Sequence, residues 1–69
     1  MTWRYRIRKR WIDGEPYFDV VEFYQNGCWT DGSAYPTGST RGEVIRTLEM
    51  MLDDCKKTNS FTDKEKVNI

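Results

Sequence analysis

The sequence predicts an α+β domain in which a three-stranded antiparallel β-meander packs on one C-terminal α-helix, in the order β-β-β-α. Three observations predict this fold class. The first segment of the chain alternates with a period of two, an Asn26-Gly27 pair marks a tight hairpin, and one later segment has helical spacing. The chain has 69 residues. We therefore expect a single small domain over residues 1–57, followed by a flexible C-terminal tail at 58–69.

The first predicted strand covers residues 2–12. Aromatic and aliphatic side chains occupy one face of this segment, interrupted by Lys9, and basic side chains occupy the other. Asp13-Gly14 then predicts a turn. The basic face forms an arginine ladder that consists of Arg4, Arg6, Arg8 and Arg10.

The second predicted strand covers residues 17–25 and has apolar residues on both faces, so its pattern does not decide which face is buried. Its register against the first strand is open by one residue, and a slip of one residue exchanges the two faces. In one of the two registers Arg8 lies opposite Asp19. Arg10 and Arg4 then face Tyr17 and Phe23 as cross-strand pairs.

Asn26-Gly27 is a strong hairpin signal because both residues tolerate positive φ. It predicts a short third strand that begins at Cys28, followed by a Gly-, Ser- and Pro-rich loop over residues 31–39. In the resulting meander one sheet face packs on the helix. The other face, which carries the arginine ladder, is expected to be open to water or to a partner.

The predicted helix covers residues 39–57. A capping box begins it, in which the Thr40 side chain accepts from the amide three residues later and Glu43 reaches back to the Thr40 amide. Lys56 and Lys57 lie where the helix dipole favours cations. The apolar stripe expected to pack on the sheet consists of Val44, Leu48, Met51 and Cys55, with Ile45 and Leu52 beside it.

Composition argues against several functions. Basic and acidic residues number 11 each, and the chain has no histidine. The absence of histidine removes most acid–base catalysis and the usual zinc ligand sets, so we expect no enzyme, no cofactor and no metal site. Cys28 and Cys55 are far apart, and no signal peptide or long apolar run is present. We therefore expect reduced thiols, no membrane contact and a cytoplasmic location in a bacterial host.

The arginine ladder has two interpretations. It is either a solvated face paired with acids of the second strand, which the zero net charge favours, or a surface that grips a partner. On the second interpretation the partner-binding residues are Arg4, Arg6, Arg8, Arg10, Tyr17 and Phe23.

Three segments together carry a resemblance: 3–6 (WRYR), 17–24 (YFDVVEFY) and 48–52 (LEMML). Their order resembles a group of small phage and prophage proteins of uncharacterised function, which share a W-x-Y-R, Y-Y-x-I-x-E-x-Y and L-x-x-M-L pattern. The resemblance implies a compact α+β protein from a mobile element and supplies no catalytic residues. Residues 27–32 (GCWTDG) are similar, more weakly, to a stretch of HicB-type antitoxins. In that family the helix follows almost at once, whereas here residues 33–39 intervene.

The function we expect is that of a non-catalytic phage or prophage accessory protein. It would bind a host protein and inhibit or modulate it, as an anti-defence (anti-CRISPR-like) inhibitor does. The alternatives are a nucleic-acid-binding protein that uses the arginine ladder, and a HicB-like antitoxin. Pairing of edge strands adds a homodimer as a further possibility.

Overall fold

The structure is a computed structural model that describes residues 3–63. Its elements are β1 (Trp3–Ile12), β2 (Glu15–Tyr24), α1 (Arg41–Lys57) and β3 (Phe61–Thr62). The α+β class, with a three-stranded sheet and one helix, is therefore confirmed. Within the described residues, α1 is too short and too polar to cross a membrane.

The hairpin of β1 and β2 has the register that places Arg8 opposite Asp19. The predicted turn between the strands is confirmed. Asp13 has φ 52° and Gly14 has φ 80°, the positive values that a tight two-residue hairpin turn requires. Because the register is antiparallel, cross-strand partners share a face. The Arg face therefore carries the four arginines of the ladder together with Tyr17, Asp19, Val21 and Phe23.

The predicted third strand is wrong. The turn at residues 26–27 does form, with Gly27 at φ 92° and its amide 2.9 Å from the Tyr24 carbonyl oxygen. The following segment, however, makes only an isolated bridge between Phe23 and Trp29. Its backbone then meets the edge of β2 at separated points, because the turn-forming residues Asp-Gly-Ser at 31–33 interrupt any regular ladder.

The third strand of the sheet is β3, which lies parallel to β1 beside Arg8 and Lys9. The strand order is β2-β1-β3, so the sheet is mixed and the predicted antiparallel meander is wrong. The domain boundary that we expected at residue 57 precedes this strand. Residues 58–63 of the expected tail follow the helix onto the edge of β1, and residues 64–69 lie outside the described residues.

Helix α1 begins after Thr40, whose hydroxyl oxygen accepts from the Glu43 amide at 3.1 Å. The second half of the predicted capping box differs. The Glu43 carboxylate accepts from the Ser39 amide at 2.7 Å instead of the Thr40 amide. The glycine at position 38 allows the Glu43 side chain to reach Ser39, because a Cβ at position 38 would lie 2.5 Å from the Cβ of Glu43.

Both faces of the sheet are covered near the start of β1. The segment of residues 29–33 and the Phe61 ring lie on the Arg face, where Asp31, Ser33 and Phe61 contact its side chains. Tyr5 is buried on the opposite face. We place α1 over that face, because it is the remaining described element that contacts β1. The buried hydrophobic side chains of the described chain are Tyr5, Val21 and Met51.

The helix meets the sheet with an edge of its predicted apolar stripe. Met51 is buried, but Leu48 is 48% exposed and Leu52 is 59% exposed, so the expected packing of the whole stripe is wrong. The physical reason is a polar contact. The Asp54 carboxylate accepts from the Tyr5 amide of β1 at 3.1 Å, and this bond requires the Asp54 side of α1 to face β1.

Candidate partner-binding surface

Arg8 lies inside the fold, at 1% exposure. Its guanidinium forms a two-pronged contact with Asp19, with Nε 2.9 Å from Oδ1 and Nη2 2.6 Å from Oδ2. Nη1 donates to the carbonyl oxygen of Asp31 at 3.0 Å and lies 3.7 Å from a carboxylate oxygen of Asp63. A buried guanidinium needs such partners because an unpaired charge in the interior is costly.

Asp19 is the acceptor at the centre of this cluster. The Ser33 hydroxyl donates to it at 2.6 Å, and a guanidinium nitrogen of Arg10 lies 3.9 Å away. Burial alone would raise the pKa of Asp19, but the hydrogen bonds from Arg8 and Ser33 and the charges of Arg8 and Arg10 outweigh it, so the pKa lies below its usual value. The hydrogen bond to Asp19 raises the pKa of Arg8 in turn. Both groups are therefore charged at neutral pH.

Arg6 is held on the Arg face by aromatic rings. Its guanidinium carbon lies 4.5 Å from the ring centroid of Phe23 and 5.0 Å from that of Phe61. Its Nη2 donates to the carbonyl oxygen of Asn59 at 2.8 Å. Trp29 stacks on Phe23 with ring centroids 5.8 Å apart, which completes an aromatic cluster around the base of the hairpin.

An open groove runs between this cluster and the end of α1. Among its lining side chains are three basic groups and one carboxylate, that of Asp54, which already accepts from the Tyr5 amide. Arg4 is exposed at the rim. The basal groove, as we call it, is lined by Trp3, Arg4, Arg6, Phe23, Tyr24, Gln25, Asp54, Lys57, Thr58 and Asn59.

Arg10 and Tyr17 lie away from the groove, toward the turn of the hairpin. The guanidinium carbon of Arg10 lies 5.7 Å from the centroid of the Tyr17 ring. Tyr17 is 46% exposed. The Nε of Arg10 is buried, and no hydrogen-bond partner for it is found among the described residues.

The structure therefore divides the predicted surface. Arg4, Arg6 and Phe23 belong to the basal groove, Arg10 and Tyr17 belong to the outer hairpin, and Arg8 is enclosed between them. The expectation that the whole arginine ladder lies on an open face is wrong, because residues 29–33 and β3 cover its middle. Whether the remaining residues bind a partner stays a prediction.

Sequence reasoning missed the contribution of the helix end to the groove. From the sequence, Lys57 was expected only to interact with the helix dipole. In the structure it also lines the groove, beside Asn59. Its Nζ lies 3.0 Å from a carboxylate oxygen of Asp53. Trp3 was assigned to the sheet face opposite the arginines. No pattern in the sequence places residues 57–59 near residue 4, because that proximity depends on β3.

The remaining reactive groups are few. Cys28 is exposed and Cys55 is half-buried, and both are free thiols. Burial, with the nearby charge of Asp54, raises the pKa of Cys55, so this thiol stays protonated at neutral pH. Over residues 3–63 no group of three or more Cys, Asp and Glu side chains is arranged to hold a metal ion.

Comparison with protein-family models, with curated proteins and with solved structures found no match to this chain. The case for a function therefore depends on the geometry of the described residues.

Proposed function

We propose that this chain is a non-catalytic binding protein whose basal groove recognises an acidic segment of another protein. The observation that carries the proposal is the charge and composition of the groove. Three basic side chains, Arg4, Arg6 and Lys57, line it together with aromatic rings, and its one carboxylate is engaged by a backbone amide. Arginine and aromatic side chains are the residue types most enriched among interface residues that dominate binding energy.

The groove is also pre-organised in part. Arg6 is held by two rings and by the Asn59 carbonyl oxygen, so little side-chain entropy remains to be lost when a carboxylate binds there. Arg4 is exposed and supplies the adaptable contact. Binding at such a surface obstructs the partner without any chemical step. This mode of action agrees with the function expected from the sequence, that of a non-catalytic phage or prophage accessory protein that inhibits a host protein.

A second candidate function is binding of single-stranded nucleic acid in the same groove. It is favoured by the same set of cations beside the rings of Trp3 and Phe23, which offer surfaces for base stacking. The two functions differ in their response to salt, because each phosphate neutralised on a nucleic acid releases counterions and makes affinity fall steeply as salt rises.

The test is retention of partners from nuclease-treated bacterial lysate on the immobilised protein, at low and at physiological salt. Arg4→Glu reverses the charge at the groove without disturbing the interior. Arg46→Glu, an exposed change of the same kind on α1, is the matched control. We expect the wild type and Arg46→Glu to retain the same discrete protein, and Arg4→Glu to lose it while keeping the wild-type circular dichroism spectrum.

Equal retention by Arg4→Glu would show that the groove is not the binding surface. For the second candidate, fluorescence anisotropy with a labelled single-stranded oligonucleotide gives the answer. Oligonucleotide binding that weakens steeply as salt rises and is lost in Arg4→Glu would show that the groove binds nucleic acid. A double change of Arg6 and Arg8 to Glu is unsuitable as a test, because Arg8 is part of the interior.

A further inference from the structure

Two apolar surfaces are exposed in the part of the chain that the structure describes. The first is on α1. Ile45, Leu48 and Leu52 follow the spacing i, i+3, i+7, so they form one stripe along the helix. They are 41%, 48% and 59% exposed, because α1 turns its Met51 side toward the sheet. We call these three residues the helix stripe.

The second surface is at the outer end of the hairpin, where residues 11–18 are all exposed. Trp11 and Phe18 lie on the same face as Tyr5, and they are 56% and 57% exposed. The Nζ of Lys9 lies 5.0 Å from the centroid of the Trp11 ring and 5.8 Å from that of Phe18, so it bridges the two rings. We call Trp11, Pro16 and Phe18 the arm face. An exposed aromatic pair on a two-stranded arm is typical of a contact surface.

The charges around each surface are mixed, with an excess of opposite sign. Asp13 and Glu15 lie in the hairpin turn beside the arm face, against one cation, Lys9, over its rings. Arg41 lies one helical turn before the helix stripe and Lys56 one turn after it, against one carboxylate, Glu49, beside it. If two helix stripes packed on each other antiparallel about Leu48, Arg41 of one copy would face Lys56 of the other. Self-pairing of the stripe is therefore disfavoured, whereas pairing of stripe and arm brings unlike charges together.

We infer that the helix stripe is the docking site for the arm face of a second copy of this chain, and that the exchange is reciprocal. Both surfaces are exposed in the single chain, so the arm does not cover its own stripe. The helix and the arm face lie on the same side of the hairpin. A two-fold arrangement in which each arm lies on the other copy's helix satisfies both surfaces and closes, which prevents open-ended assembly.

The expected dimer is weak. The exposed parts of two aromatic rings and three aliphatic side chains, counted for both contacts, amount to on the order of 1,000 Å² of buried surface, the low end for specific interfaces. We therefore expect a dissociation constant on the order of micromolar. Lys57 in the basal groove lies on a different side of α1 from the stripe. The dimer consequently leaves both grooves open and presents two of them to a partner.

Sedimentation equilibrium of the purified chain over a range of concentrations tests this inference. The wild type is expected to dimerise. Leu48→Lys in the stripe and Phe18→Glu in the arm are each expected to weaken the dimer about tenfold or more, because each places a charge in an apolar contact. Met50→Lys, an exposed methionine outside the stripe, is the matched control and should dimerise as the wild type does.

The decisive step is to mix the two variants. Phe18→Glu keeps an intact stripe and Leu48→Lys keeps an intact arm, so a mixed dimer has one native contact and one Glu–Lys contact. Restored association of the mixture supports reciprocal exchange. A wild type that stays monomeric overturns the inference and leaves the stripe to residues 64–69 or to another protein.

A dimer that survives either single variant, or a mixture that fails to associate, also overturns it. In the first case, the surface that was changed takes no part in the dimer, as expected if the other surface pairs with itself. Arg4→Glu should leave the dimer unchanged. The experiments on dimerisation and on partner binding at the basal groove can therefore fail independently of each other.

Discussion

The two halves of the β1–β2 hairpin have the same kind of sequence and different surroundings. At the base, Arg8 is enclosed and paired with Asp19. At the outer end, two strand positions further along the same face, Arg10 is partly exposed, with its guanidinium carbon 5.7 Å from the centroid of the Tyr17 ring. An arginine at every second position continues through both halves. What distinguishes them is whether residues 29–33 and β3 reach that part of the strand.

This difference shows that a regular ladder of like side chains need not act as one surface. The base uses its arginine to hold three segments together: β2 through Asp19, the loop through Asp31 and the chain after β3 through Asp63. In the outer half, Arg10 lies 3.9 Å from Asp19 but has no contact with Asp31 or Asp63 among those found, and residues 11–18 are exposed.

The largest effect is expected at the buried ion pair. Arg8→Ala should lower the free energy of unfolding by about 3–5 kcal/mol, because it leaves Asp19 enclosed without its main partner. Arg10→Ala, at the exposed half, should lower it by less than about 1 kcal/mol. Urea denaturation followed by circular dichroism measures both. As a control, Arg8→Met with Asp19→Leu should recover most of the loss, because it removes both charges. Equal losses for the two arginines would contradict the division of the hairpin.

Adjacent methionines give the same comparison within α1. Met51 is 8% exposed and Met50 is 37% exposed. Met51→Ala should lower the free energy of unfolding by about 2 kcal/mol, because it leaves a cavity between the helix and the sheet. Met50→Ala should change it by less than about 0.5 kcal/mol. Thermal and urea unfolding measure the stability of both variants. A greater loss of stability for Met50→Ala than for Met51→Ala would contradict the helix rotation described above.

The smallest effect is a pH dependence. The pKa of Asp19 is lower in the folded chain than in the unfolded one, so its carboxylate stabilises the fold above the unfolded value of about 3.9. That stabilisation declines as pH falls below this value toward the folded pKa, because the unfolded chain takes up the proton first. Asp19→Asn should be less stable at neutral pH and should lose less stability on acidification. Urea midpoints across this range measure both, and parallel curves for the two proteins would contradict the assignment.

Much of the hairpin could be predicted from the sequence. Period-two alternation over residues 2–12 and the Asp13-Gly14 turn fixed its existence, and the register with Arg8 opposite Asp19 was one of two considered. Asp19 was also the one sign in the sequence that an arginine of the ladder could be buried. In that register it is the acidic residue directly across from a ladder arginine. Alternation alone cannot identify a buried arginine, because period two reports the face of a side chain and not what covers that face.

The third strand and the candidate groove could not be predicted, for a related reason. β3 is two residues long, so it has no period, and Phe61 is its one apolar residue in a polar segment. The rotation of α1 brings Asp54 to a backbone amide of β1, with which it forms a hydrogen bond. An apolar stripe shows which helix face prefers burial, but it does not show a polar contact that competes with that preference. The groove, which forms where α1, β1 and the chain before β3 meet, was missed with them.

The contact between Arg6 and the carbonyl oxygen of Asn59 joins residues that are 53 positions apart. Closing a loop of that length costs entropy before any contact repays it, whereas the hairpin closes through a two-residue turn. The hairpin should therefore form early in folding and β3 should dock late. Until it docks, the Arg8 guanidinium has Asp19 beside it but is still hydrated. The desolvation of this charge is thus a late event, and opening of β3 alone should return water to it without unfolding the hairpin.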